Sequence, residues 1–276
     1  MTLAPHYLAD RGTMTEAEMR YLNQYGWLTL SGGYLGDDKE TGENRWLEDA
    51  KHFGRYGSYW ASYLNYTKVS DDDYFDDFEL ASLDIKRATH LNQIVGLIYA
   101  SPGWTAKIEA ADYQTIDPLV QEPYQRLPQI TIQNNDSGSN FAPDLIFLSE
   151  LTRFDHNDSR QNNVNFVTGD RSYLEGGLSF PMNWTAGFII PTGKVRYLRY
   201  DLDPGTAPQD ETIDTAVPLA TLDMGLVFER SMQLGKTAYT QTLEPRAYYF
   251  YSKYENQDDQ PDFDSAFALM RRSRSG

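Results

Sequence analysis

"TLDMGLVFER", Thr221 to Arg230, alternates with period two: Leu222, Met224, Leu226 and Phe228 fall on one side, Asp223, Gly225 and Glu229 on the other. Successive side chains of a strand point to opposite faces, so the stretch reads as a β-strand with one apolar and one polar face. The pattern recurs. In "YTQTLEPRAYYFY" (Tyr239–Tyr251), Leu243, Pro245, Ala247, Tyr249 and Tyr251 oppose Thr240, Thr242, Glu244 and Arg246. In "WASYLNYT", Trp60, Ser62, Leu64 and Tyr66 oppose Ala61, Tyr63, Asn65 and Thr67; in "WTAGFII", Trp184, Ala186, Phe188 and Ile190 oppose Thr185, Gly187 and Ile189. A charge inside a strand demands a wet face. These strands are two-sided, apolar out and polar in.

Ten further strands are expected near residues 2–9, 14–22, 25–35, 45–53, 89–100, 104–114, 127–134, 143–154, 164–180 and 194–202. "MTEAEMRYL" (Met14–Leu22) has the composition of a short amphipathic helix but lacks a cap, and is assigned to strand. So many strands exceed what an open twisted sheet holds without curling or closing. The connections sort by length as well. "NQYG", "RYGS", "SPG", "PMN" and "LGKT" are short, and they tend to alternate with long polar links such as "GDDKETGENR" and "QTIDPLVQEPYQ". Short turns on one side and long loops on the other characterise an outer-membrane barrel. The expected fold class is all-β: part of a large antiparallel transmembrane β-barrel of outer-membrane type. The alternative is a soluble acidic β-sandwich that binds carbohydrate, which gives no reason for the alternation.

Composition agrees. The 24 Lys and Arg against 40 Asp and Glu leave a formal charge of −16 over 276 residues, which excludes nucleic acid as a partner because phosphate binding needs a basic surface. Only 40% of residues are apolar, yet 20 tyrosines and 5 tryptophans supply the side chains that favour strands and membrane–water boundaries. No window approaches the roughly 18 apolar residues of a transmembrane helix; the longest apolar stretch is "IVGLIYA" (Ile94–Ala100). There is no cysteine, hence no thiol chemistry. "MTLAPHYLADRG" has neither a basic nor an apolar leader region, so the expectation is an intracellular protein or a chain whose beginning is missing.

Catalytic machinery is not apparent. In "YLNYTKVSDDDYFDDF" a strand pattern runs into Asp71, Asp72, Asp73, Asp76 and Asp77. The cluster invites calcium, but it lacks the glycine and the closing glutamate of an EF-hand, and reads instead as a solvated acidic loop. Glu244 and Arg246 stand two apart and share a face, where they could pair; Glu244 with Glu229 is conceivable as a glycosidase dyad, but nothing fixes their separation. His6, His52, His90 and His156 are isolated and show no metal-ligand spacing. No G-x-S-x-G or phosphate-binding glycine loop occurs. The expectation is a protein without enzyme activity, metal or cofactor.

Three long blocks resemble the LptD family of LPS-assembly outer-membrane proteins, in its C-terminal barrel domain: "APHYLADRGTMTEAEMRYL", "RWLEDAKHFGRYGSYWASYLNYTKVSDDDYFDDF" and "LVFERSMQLGKTAYTQTLEPRAYYFYSKY". The resemblance implies residues 1–266 as part of the barrel domain, and 267–276 as a divergent tail left by a frameshift or cut end. It further implies that the family's jellyroll domain, leader, cysteines and closing strands are missing here. Members receive lipopolysaccharide from a periplasmic bridge built with LptA and insert it into the outer leaflet of the outer membrane. The lipoprotein LptE plugs the barrel, and lipid leaves through a lateral opening between first and last strands. Pro5 matches a family proline at that opening; proline cannot donate to a ladder, which suits a seam that opens. Glu229, Glu244 and Arg246 are the expected lumen-facing side chains, and the five aspartates the expected exterior loop.

Overall fold

The computed structural model describes residues 1–78, 80, 83, 85–135, 138, 140–156, 166–204, 206, 211–235 and 237–264. The tail 267–276 lies outside them. The strands are β1 (Thr2–Leu8), β2 (Gly12–Asn23), β3 (Gly26–Leu35), β4 (Arg45–Tyr56) and β5 (Trp60–Val69), then a one-turn helix α1 (Tyr74–Asp77). There follow β6 (His90–Ala100), β7 (Trp104–Thr115), β8 (Gln125–Asn134), β9 (Asp144–Asp155), β10 (Gly169–Ser179), β11 (Met182–Trp184) and β12 (Gly187–Leu202). The last four are β13 (Thr212–Leu226), β14 (Phe228–Leu234), β15 (Thr237–Leu243) and β16 (Arg246–Ser252).

Nearly all of them form one 14-stranded antiparallel sheet, ordered β1 to β10, then β12, β13 and β16, with the short β11 on β12. The all-β antiparallel expectation holds. A sandwich would need two sheets packed face to face; here the only other sheet among the described residues is the β14·β15 hairpin. Met14–Leu22 is strand, because its apolar side chains serve a sheet face rather than a helix stripe.

Two boundaries differ from the periodicity. Residues 184–190 and 194–202 were expected as separate strands around "PTG", but β12 runs through: Pro191 and Gly193 stay in register with Leu222 and Ala220. Conversely, Thr221–Arg230 and Tyr239–Tyr251 are each divided, at Val227 and at Glu244–Pro245. Pro245 has no N–H to give the ladder, and the Val227 N–H turns to the Ala186 carbonyl at 2.8 Å.

Antiparallel order sorts the connections onto two ends. The tight turns 24–25, 57–59 and 101–103 share one end with 135–143, with β11 and with the β14·β15 hairpin. The links 36–44, 70–89, 116–124, 156–168 and 203–211 share the other, with the short link 9–11. These are called the turn end and the loop end below.

Candidate functional site

Register fixes which side chains share a face. On one face Met19, Leu30, Leu64, Leu97, Ile108, Ile132, Leu151, Leu174 and Val195 follow one another across the strands, mostly exposed. Exposure of single apolar residues is ordinary, but a contiguous apolar face across a whole sheet is not. Aromatic rings border it at both ends: Trp60, Tyr99 and Trp104 toward the turns, Tyr34, Trp46 and Tyr66 toward the loops. Trp60 packs on Tyr99 with centroids 5.1 Å apart. On β5, Trp60 and Tyr66 are six residues apart, roughly 20 Å at about 3.3 Å per residue. That approaches the ≈ 25 Å apolar band between aromatic girdles of a membrane barrel. The charges on this face gather in its loop-end part: Glu48 opposite Lys68, Asp112 level with Tyr66, and Arg199 opposite Asp214.

The opposite face is charged and largely self-neutralising. Glu109 receives the Tyr63 hydroxyl and lies 3.3 Å from Lys107 and 3.5 Å from Arg126. Tyr63 gets there by lying flat over Gly96, where a Cβ would sit 2.3 Å from its ring. Glu175 takes Lys194 at 3.0 Å and Arg196 at 2.6 Å. Arg246 belongs to this face, but its partner is Asp223 (Nε–Oδ1 2.8 Å) rather than Glu244, with its guanidinium over the Phe188 ring. Glu244 lies between β15 and β16, and Glu229 on the hairpin pairs with Thr242. The possible Glu244–Arg246 contact is absent from the ion pairs of the described residues, because Arg246, opposite Gly225, reaches diagonally to the β13 carboxylate of Asp223.

At the loop end this face is covered by the chain itself. The link 70–89 was expected to be a solvated acidic loop; much of it is instead packed down on the sheet. Tyr74 and Phe78 are buried with Leu35, Leu47, Val69, Leu83, Leu91 and Ile116. The aspartates separate accordingly. Arg45, 3% exposed, grips Asp71 through Nε at 2.5 Å and Nη2 at 2.6 Å, and Asp77 at 2.9 Å. Arg11 reaches Asp77 at 2.8 Å and Asp38 at 2.7 Å, and both guanidiniums lie over the Phe78 ring, 5.1–5.2 Å from its centroid. Asp76 pairs with Arg87, while Asp73 stands at the N-cap of α1 without a side-chain cap: its N–H donates to Asp71 Oδ1 at 3.1 Å and its carbonyl accepts the Asp76 and Asp77 N–H groups at 3.0 Å. Burial pushes the Asp38 carboxyl up, but the Glu40 N–H and the Arg11 and Arg45 guanidiniums together outweigh it and hold its pKa below the usual range. Burial, aided by the charge of Glu16, raises the Tyr74 hydroxyl.

A second cover went unnoticed in the sequence. After β16 the chain turns back across the charged face, so that Phe263 stacks on Phe154 (centroids 4.4 Å apart) beside Tyr124 and Tyr200. Asp264 is gripped by Arg171 at 3.0 and 2.9 Å, and Arg171 also holds Glu150 at 2.7 Å. The one signal available was an isolated phenylalanine in the polar run "QDDQPDFDS".

The histidines serve structure: His6 lies 3.5 Å from Glu16, His52 bonds Ser62 and the Trp27 carbonyl, His90 bonds Thr115, and His156 stacks on Phe166. Among the described residues no three His, Asp or Glu side chains are placed to hold a metal ion. Pro5 stands exposed on β1, an outermost strand of the sheet, opposite Thr15.

A family model described as "LptD: LPS transport system D" matches residues 43–273. Among curated proteins, an LPS-assembly protein LptD of Pseudomonas aeruginosa is 34% identical, over 96% of this chain and 32% of its own length. One from Nitrosococcus oceani is 36% identical, over 96% of this chain and 36% of its own length. One from Pseudomonas syringae pv. tomato is 32% identical over the same shares as the first. The chain thus spans about a third of the length of the relatives it matches.

Proposed function

This chain belongs to the LptD family, and on that premise we propose that it is a stretch of barrel wall in an outer-membrane lipopolysaccharide transporter, a translocation component rather than an enzyme. The observation that carries the reading is the two-faced sheet. An apolar band between aromatic belts suits lipid, and a face of paired charges suits a water-filled or plugged interior. A sheet of this size with open edges would leave N–H and C=O groups unpaired in lipid, so further strands complete the barrel. Residues 1–266 are assigned to that domain.

In this reading the loop end faces the cell exterior, with Asp71, Asp72, Asp73, Asp76 and Asp77 in its longest link, and the turn end faces the periplasm. Arg246, with Asp223, looks into the lumen, and Glu229 and Glu244 follow on the same parity, in reach of an LptE plug. Pro5 lies at the lateral opening through which lipopolysaccharide, delivered along an LptA bridge, leaves for the outer leaflet. The exposed Pro5 on an outermost strand supports that placement.

Orientation is tested in intact cells carrying the full-length protein. A cysteine replacing the exposed Asp73 should react with a membrane-impermeant maleimide, and one replacing Ser101, in a turn of the opposite end, should not. Labelling only at Ser101 would invert the topology.

A further inference from the structure

The β14·β15 hairpin is not a separate module. Gly225 opposes Arg246, and three residues further along each strand Phe228 opposes Leu243, so one register runs through the break. Between them the Leu226 N–H donates to the Pro245 carbonyl at 3.0 Å. The hairpin therefore prolongs the wall beyond the level where β11 and β12 have already turned, at Trp184–Gly187. Seven residues per strand carry it roughly 20 Å farther.

Parity continues with the register. Phe228, Arg230 and Met232, with Tyr239 and Leu243 opposite, extend the face of Leu222, Met224 and Leu226. Glu229, Ser231, Thr240 and Thr242 extend the charged face. Phe228 is 53% exposed and Leu243 65%, yet an isolated two-stranded ribbon is marginal in water. Its apolar side calls for a cover.

We propose that this side rests on the phosphate headgroup layer of the leaflet at the turn end, with the Phe228 and Tyr239 rings at the acyl boundary and the Arg230 guanidinium on a lipid phosphate. The proposal rests on the wall being lipid-facing. Three observations select lipid as the occupant. The ribbon's apolar side is continuous with the apolar band. Its composition, rings and thioether with a polar tip on Tyr239, is that of an interfacial surface. And in a chain of charge −16, the one charged side chain on this side among the described residues of the ribbon is a cation, Arg230. Gln241 Oε1 takes one Arg230 N–H at 2.6 Å, which props the guanidinium and leaves its remaining donors for phosphate oxygens.

The test uses the full-length protein in vesicles of zwitterionic lipid with anionic phosphatidylglycerol. An environment-sensitive dye is placed by cysteine at Met232, at Gln233 on the other side of the ribbon, or at Leu97 in the apolar band. Headgroup-proximal spin-labelled lipid should quench Met232, iodide should quench Gln233, and deep spin-labelled lipid should quench Leu97. Arg230→Ala should lower the docked-to-undocked ratio at Met232 by about fivefold, the change that one basic residue at an anionic surface corresponds to. Iodide quenching at Met232 beside lipid quenching at Leu97 overturns the proposal and leaves the wall reading intact. So does protection of Met232 from both quenchers, which would mean a protein cover. Loss of lipid quenching at Leu97 as well would overturn both.

Discussion

The loop-end cover can be tested at the Tyr74 ring, where it meets the sheet. The Tyr74 hydroxyl is fully buried without a hydrogen-bond partner among the described residues, and it lies directly above Gly33, where a Cβ would sit 2.8 Å from it and 2.8 Å from the Met14 methyl. A buried donor left unsatisfied costs about 1–3 kcal/mol. Tyr74→Phe keeps the ring contacts with Phe75 and Phe78 and removes only that atom. It should stabilise the closed cover by about 1 kcal/mol, the low end because Glu16 borders the hydroxyl. Gly33→Ala should destabilise it by about 1–3 kcal/mol through overpacking. The pair should be non-additive: with the oxygen gone, the alanine methyl has room, and the coupling should exceed about 0.5 kcal/mol. The assay is hydrogen exchange in the full-length protein, read at the Asp77 and Phe78 amides, which close on Asp73 and Tyr74 at 3.0 Å. A gain of 1 kcal/mol slows their exchange about fivefold. Faster exchange in Tyr74→Phe, or strict additivity with Gly33→Ala, would refute the packing argument.

Removing the charge that ties the same cover should loosen it further. Arg45→Met strands Asp71 and Asp77, but both are over a quarter exposed and Asp38 keeps Arg11, so the loss should be about 2 kcal/mol rather than the 3–5 of a fully buried pair; proteolysis between residues 70 and 89 measures it, and an unchanged cleavage rate speaks against the lock. On the sheet, Leu97→Arg should cost roughly 2–4 kcal/mol and lower the folded yield, whereas Thr131→Arg, on the charged face, should be tolerated; equal yields would show that the faces are misassigned. Acid should act through Asp38. Its carboxyl is depressed in the folded state, so its contribution is complete above the unfolded value of about 3.9 and is lost as pH falls through the lower folded value. Exchange at Phe78, corrected for its intrinsic pH dependence, should therefore stay flat from neutral pH to about 4 and rise below it, and a rise already at pH 6 would assign the closure to other groups.

Most of the sheet was legible because its cause is local. Alternation in Leu222 to Phe228 needs nothing but the pleat of a strand, and the faces read from it are the ones the register produces. Boundaries failed where a residue's intrinsic preference lost to its neighbours. Pro191 and Gly193 look like a break, yet β12 continues because β10 and β13 supply pairing on both sides of it. At Pro245 the same preference prevailed, because beyond the turn of β11 and β12 no strand among the described residues pairs with the β14 side of the hairpin to hold the ladder straight.

The acidic run was misread for a different reason. Five aspartates within seven residues look solvated when counted along the chain, since the countercharges lie far away: Arg45 is 26 residues from Asp71 and 32 from Asp77, and Arg171 is 93 from Asp264. Neither periodicity nor composition reports such distances. What the sequence did contain was the pairing of acid with aromatics, Tyr74 between the aspartates, Phe78 directly after them and Phe263 beside Asp264. A loop meant only for water has no use for those rings. In both covers a ring enters the sheet end while a flanking carboxylate meets an arginine that rises from the charged face and also lies over an aromatic ring. Apolar burial supplies the attraction, and the ion pair fixes where the ring lands. An aromatic residue embedded in an acidic loop of such a wall is therefore the feature that separates a loop folded inward from one left in solvent.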